Sequence, residues 1–277
     1  MNMIDAAEAR GEIAPGRSVL VEPTSGNTGI GIAMIGAARG YDVVLTMPES
    51  MSKERRMLLA AYGAKLVLTP AAEGMAGAVA EAERIERETP GAWIVGQFTN
   101  PDNPAAHEKT TRPKSRRPWR RQSRLRGCRA GTGGTFGRGP FLQRAWQIPS
   151  WRPGDLVGER VRIYAVEPDE SPLISQSLAG EELTPAPHGI QGIGANFVPE
   201  TLDLDVLDGA LRVTTEEAYE QTRYMANVEA LLVGISSGAN IAGVRKLIEQ
   251  HPEAKGSTIV TFAVDTGERY LSTSLFE

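Results

Sequence analysis

The run Ser18-Val19-Leu20-Val21-Glu22, the turn Thr24-Ser25-Gly26-Asn27-Thr28-Gly29 and residues 27–39, which Gly40 closes, decide the fold. The first is a short apolar run after Pro15-Gly16 and reads as a strand. The last is rich in Ala, Ile and Met at helical spacing. The turn between them offers hydroxyls, an amide and free backbone N–H groups at a helix N-terminus. That chemistry suits an anion such as a carboxylate, and the same residue types also serve as plain caps.

The alternation continues outward in both directions. Residues 41–46, 64–68 and 93–95 read as strands. Residues 53–62 read as a helix with Ser52 as N-cap and Gly63 as stop, and 74–88 as a helix with one apolar face. Further on, 161–166, 230–233 and 258–262 are expected strands, and 215–227 and 238–249 expected helices. Strands spaced by helices imply an α/β fold with parallel sheets joined by right-handed crossovers. In such sheets ligands bind at the carboxyl ends of the strands. Two more polar turns are placed to sit there. Gly131-Thr132-Gly133-Gly134-Thr135 can form a nest of N–H groups around a phosphate, or be a flexible glycine loop. It is neither a Walker loop nor G-x-G-x-x-G, because Phe136 stands where the last glycine would. Gly234-Ile235-Ser236-Ser237-Gly238 offers a hydroxyl that can meet a ring nitrogen or cap the helix.

Composition excludes several classes. The 277 residues are 41% hydrophobic and 23% charged, as in a globular protein of one or two domains. A single cysteine, Cys128, excludes a disulfide framework and a cysteine-based metal site. His107, His188 and His251 lack ligand spacing, so no metal is expected. No apolar run reaches a membrane span, and the first residues lack the pattern of a secretory signal, so a cytoplasmic protein is expected. The net charge of −4 hides an asymmetry. Residues 112–129 hold eight arginines, Lys114 and no acid, while the remaining 21 basic residues face 34 acidic ones.

Long segments around all three turns resemble the cysteine synthases (O-acetylserine sulfhydrylases), fold-type II pyridoxal-phosphate enzymes of the β family. They include Val21-Glu22-Pro23-Thr24-Ser25-Gly26-Asn27-Thr28-Gly29-Ile30-Gly31, Ser52-Lys53-Glu54-Arg55-Arg56, Gln97-Phe98-Thr99-Asn100-Pro101, Pro187-His188-Gly189-Ile190-Gln191-Gly192-Ile193-Gly194 and Gly267-Glu268-Arg269-Tyr270. The resemblance implies a tryptophan synthase β-like architecture: two domains with largely parallel twisted sheets flanked by helices, residues 1–101 and 102–277, with the cofactor in the cleft between them. Residues 41–88 would close over the substrate.

The resemblance also assigns roles. Asn27 would bond the ring oxygen of pyridoxal 5'-phosphate. Thr24, Ser25, Thr28 and Gln97 would hold the substrate α-carboxylate. Gly131, Thr132, Gly133, Gly134 and Thr135 would cradle the cofactor phosphate. Ser236 would face the pyridine nitrogen, and Gly192 would shape the mouth of the site. The implied reaction takes O-acetylserine and sulfide to cysteine and acetate by way of an aminoacrylate. A homodimer is implied, as is a cleft that accepts the C-terminal peptide of serine acetyltransferase. Two departures stand out. The family's Schiff-base lysine, in a Ser-x-Lys-Asp-Arg context, is expected ahead of the helix that opens this chain. None of Lys53, Lys65, Lys109, Lys114, Lys246 and Lys255 has that context, so the chain as given is expected to be an inactive, truncated form. Residues 112–153 depart from the family in composition, and Arg120-Arg121-Gln122-Ser123-Arg124-Leu125-Arg126 stands where a buried strand is expected. Two compensating reading-frame slips in a GC-rich gene account for that stretch better than a nucleic-acid patch. The alternatives are a cystathionine β-synthase-like β-replacing enzyme and a non-catalytic chain that binds a partner peptide.

Overall fold

Strand β1 (Val19–Pro23) lies between β2 (Asp42–Pro48) and β4 (Ala92–Ile94), and β3 (Lys65–Thr69) adds beyond β2. All three pairings are parallel, in the order β3-β2-β1-β4. In this computed structural model the described residues are 1–111, 114 and 162–277, together with the backbone of 125–128. Neighbouring side chains of a strand point to opposite faces, and β1 shows why its run is continuously apolar. Leu20 is buried with Ile32, Ala33, Leu45 and Leu59. Val21 is buried with Ala82 and Ile85. The first group belongs to the side of α2 (Asn27–Arg39) and α3 (Lys53–Ala61), and α1 (Asn2–Arg10) adds Ile4 and Ala7 to it. The second group faces α4 (Gly74–Glu88).

A second parallel sheet has the order β7-β6-β5-β8, formed by β5 (Leu125–Cys128), β6 (Arg162–Pro168), β7 (Gly209–Val213) and β8 (Thr258–Thr261). Ile163, Ala165, Ile174, Leu202, Val206 and Leu207 form a core on it. Helix α6 (Leu173–Ala179) packs on β6 and β7, and α7 (Thr215–Asn227) packs against α8 (Ile235–Gln250). A reciprocal cap starts α7: Thr214 Oγ1 accepts from Glu217 N, and Glu217 Oε2 accepts from Thr214 N. The compact units are Met1–Asn103 with Asp265–Glu277, and Pro104–Val264. The boundary falls within α5 (Asp102–Lys109). The division expected from sequence lies between 101 and 102, two residues earlier. No helix among the described residues is long and apolar enough to cross a membrane.

Three expectations are corrected. Residues 230–233 are not a strand. Val233 makes only an isolated bridge, and Ala230 has φ 55°, a left-handed conformation that interrupts extended pairing. Helix α8 starts at Ile235, so Ser236 and Ser237 lie in its first turn rather than in a turn before it. The arginine-rich stretch does contribute a parallel strand, because β5 pairs with both β6 and β8. Its four residues, Leu125-Arg126-Gly127-Cys128, contain only one of the arginines, so the pairing does not require burial of the whole basic run. The rest of that window lies outside the described residues.

Two glycines of α2 make opposite predictions. A Cβ at Gly36 would overlap Cγ2 of Val43 on β2, whereas one at Gly31 meets nothing within 4 Å. Gly36→Ala is expected to lower stability by about 1–3 kcal/mol through overpacking. Gly31→Ala is expected to raise it by about 0.5–1 kcal/mol through helix propensity. Urea midpoints of the two variants against the parent chain check both.

Candidate functional site

The turn after β1 is organised by its first residue. Thr24 is 1% exposed, and its Oγ1 accepts from Gly26 N at 3.0 Å and Gly29 N at 3.1 Å. It thereby satisfies donors at the N-terminus of α2, while the N–H groups of Asn27 and Thr28 remain in the first turn without intrahelical acceptors. Gly29 is required because a Cβ there would lie 2.5 Å from Thr24 Cγ2. Gly26 is required because a Cβ would lie 2.5 Å from Arg55 Nε.

Gln97 is brought to this turn from the end of β4. Its Oε1 accepts from Thr28 Oγ1 at 2.7 Å, and its Nε2 donates to Pro23 O at 2.8 Å. Glu22, fully buried next to Pro23, holds the backbone beneath it. Its carboxylate accepts from Gly96 N at 2.7 Å and Gln97 N at 3.2 Å. The structure therefore joins Thr24, Thr28 and Gln97 as expected neighbours. Ser25 enters through its carbonyl, which accepts from Arg55 Nη1 at 2.9 Å.

Asn27 has both ends of its amide engaged. Nδ2 donates to Asp265 Oδ2 at 2.8 Å, and Oδ1 accepts from Arg269 Nη1. Asp265 Oδ2 also accepts from Tyr270 Oη at 2.6 Å. Arg55, 0% exposed, donates to the same Tyr270 hydroxyl at 2.6 Å, lies 3.7 Å from Asp265 and stacks 4.7 Å over the Tyr270 ring. Ser52 stands at the N-cap position of α3 that the sequence predicts, but its side chain makes no cap hydrogen bond. Its hydroxyl donates to Arg269 O at 2.7 Å and ties the start of α3 to residues 265–277. Sequence reasoning did not assign Glu22, Arg55, Asp265, Arg269 or Tyr270 to the site. A signal for Arg55 existed: it shares a buried face with Leu59 one turn on, where an apolar residue is the rule.

In the other unit, Ser236 and Ser237 behave differently. Ser237 Oγ accepts from Val264 N at 3.0 Å. Ser236 is 1% exposed, and its Oγ has no partner among the described residues. A Cβ at Gly192 would lie 3.0 Å from that oxygen, and Gly192 has φ 107°, so glycine both permits the backbone and avoids crowding the buried hydroxyl. A buried hydroxyl without a partner is costly, and a ring nitrogen would satisfy it. His188 bonds Gly194 O through Nε2 at 2.7 Å, and burial pulls its pKa below the ordinary value. Residues 131–135, the expected phosphate cradle, lie outside the described residues.

Burial pushes the Glu22 carboxyl up to about 7 from 4.5, against the lowering effect of the two N–H donors. Between those values the folded chain holds more protons than the unfolded chain, so this group makes stability fall as pH rises from 4.5 to 7. Glu22→Gln removes that slope. Relative to the parent, the variant is expected to gain on the order of 2–3 kcal/mol between pH 5 and pH 8. Urea unfolding at the two pH values measures it.

The sequence pattern of the family described as pyridoxal-phosphate dependent enzyme matches residues 1–265. Cysteine synthase A of Escherichia coli (strain K12) is 47% identical over 277 residues, 99% of this chain and 82% of that protein. The cysteine synthase of Haemophilus influenzae is 43% identical over 277 residues, 100% of this chain and 84% of that protein. The solved structure of cysteine synthase (OASS) from Entamoeba histolytica superposes with a TM-score of 0.80 at 35% identity, covering 99% of this chain and 76% of that one. With a family match across both sheets, and with the buried Ser236 hydroxyl, without a partner among the described residues, suited to a pyridine nitrogen, this chain belongs to the pyridoxal-phosphate dependent enzymes.

Proposed function

We propose that the chain carries the site of a cysteine synthase-type β-replacement, in which O-acetylserine and sulfide give cysteine and acetate. The observation that carries this reading is the buried hydroxyl of Ser236, without a partner among the described residues, beside the bare α-carbon of Gly192. Pyridoxal phosphate, when bound, supplies an electron-withdrawing ring for negative charge at the substrate's α-carbon. Ser236 is assigned to the pyridine nitrogen. A neutral hydroxyl does not force that nitrogen to be protonated, which suits elimination at the β-carbon. Asn27 is assigned to the ring oxygen, residues 131–135 to the phosphate, and Gly192 to the mouth of the site.

Thr24, Ser25, Thr28 and Gln97 are assigned to the substrate carboxylate. The first-turn N–H groups of α2 meet its negative charge, and the Thr28 hydroxyl joins them when its single proton, given to Gln97 Oε1 in the free site, turns to the carboxylate. The Gln97 side chain is already oriented by Pro23 O. In the net reaction acetate leaves with the C–O electron pair and sulfur forms the new C–S bond. The assigned residues bind and orient, and none of them moves the α-proton, so binding and turnover are separate readouts. The same reading includes closure of residues 41–88 over the substrate. It also includes a cytoplasmic homodimer, and the C-terminal peptide of serine acetyltransferase as a partner.

The test is the absorbance of the purified, folded chain with pyridoxal phosphate, before and after O-acetylserine, followed by assay of cysteine after sulfide. The protein is expected to alter the cofactor spectrum and O-acetylserine to shift it. Thr28→Val is expected to raise the half-saturating O-acetylserine concentration by about tenfold, the cost of one hydrogen bond to a charged group. Ser236→Ala is expected to change the cofactor spectrum before substrate is added. A spectrum that neither the protein nor O-acetylserine changes overturns the reading. Preference for homocysteine over sulfide would move the assignment to a cystathionine β-synthase-like reaction.

A further inference from the structure

We infer that Asp265 and Arg269 form a clamp that fixes the orientation of the Asn27 amide, so that Asn27 offers its ligand an N–H donor and not a carbonyl. An asparagine amide fits most sites in two orientations, because its oxygen and nitrogen are nearly equal in size. Here the partners leave one. The Asp265 carboxylate, which accepts hydrogen bonds, faces Nδ2 at 2.8 Å. The Arg269 guanidinium, which only donates, faces Oδ1. Turning the amide over would set oxygen against carboxylate and N–H against guanidinium. With one Nδ2 hydrogen on Asp265, the other remains as the donor that Asn27 can present.

The clamp is itself held in place. Asp265 Oδ2 takes a second hydrogen bond from Tyr270 Oη, which in turn accepts from the buried Arg55. Arg269 is anchored by its carbonyl on the Ser52 hydroxyl. Asp265 and Arg269 are therefore positioning residues acting through Asn27. The inference rests on the reading above, in which Asn27 faces the ring oxygen of the cofactor. That oxygen carries negative charge when its proton is lost, and such an atom needs a donor.

Two variants and two readouts test it. Asp265→Asn removes the negative charge that selects Asn27 Nδ2 over Oδ1, because an asparagine can turn either an oxygen or an N–H towards it, while the side chain keeps its shape; Arg269→Met removes the donor on the other end. The first readout is cofactor affinity and absorbance maximum in a titration with pyridoxal phosphate. Asp265→Asn is expected to weaken binding about tenfold and shift the maximum, and Arg269→Met to weaken it two- to fivefold. The second readout needs no cofactor. It is the pair of Asn27 side-chain amide proton resonances, which is expected to move in both variants while those of Asn240, bonded to Phe262 O in the other unit, stay in place. If Asp265→Asn fails to fold, Arg269→Met carries both readouts. Unchanged Asn27 amide resonances in a folded variant overturn the clamp. So do unchanged affinity and absorbance where the parent binds the cofactor. If the parent does not bind the cofactor at all, the functional reading fails, and the amide resonances alone decide the clamp.

Discussion

A guanidinium that is 0% exposed has to be surrounded by acceptors or a counter-charge, because its desolvation is otherwise too costly to sustain. Arg55 meets that demand with three groups from two separate places. The Ser25 carbonyl comes from the turn after β1, and the Tyr270 hydroxyl and Asp265 carboxylate come from the end of the chain. Gly26 has no side chain because Arg55 occupies the space. The consequence is that α3, the turn at residues 24–29 and residues 265–277 form one assembly. The geometry around Asn27 depends on it.

A second buried charge does related work beneath the turn. Glu22 gives up solvent entirely, and its carboxyl is pushed up to about 7 as a result. In return it fixes the backbone of Gly96 and Gln97, and Gln97 then reaches Thr28 and Pro23. Both cases place ionisable groups behind polar side chains rather than among them. The side chains assigned to ligand are oriented by neighbours that the ligand does not touch. Such support limits the conformations the site can adopt before binding, which is the physical content of preorganisation.

Most of the fold was legible in local sequence. The helices over residues 27–39, 74–88 and 215–227 have the expected bounds, since their periodicity and stop signals are short-range properties. The failures have particular causes. Residues 230–233 look like a strand by composition, but a left-handed Ala230 and the lack of a ladder partner decide otherwise. The run at residues 120–126 reads as too basic for a central strand, yet a ladder is made by backbone, and the four residues of β5, which share only Leu125 and Arg126 with that run, suffice. The hydroxyl of Ser52 reads as a cap and is instead drawn to Arg269 O, more than two hundred residues away.

The sequence by itself determined the alternation of strands and helices, the parallel class of the sheets and the polar turn after β1. Periodicity, capping residues and glycine placement act within a few residues, so they can be read without knowing the fold. Only the tertiary structure decided that Asp265, Arg269 and Tyr270 return to the turn after β1, that Arg55 is buried among them, and that Ser236 finds no partner among the described residues while Ser237 does. Those outcomes depend on which groups lose water together, and that is set by packing between segments far apart in the chain.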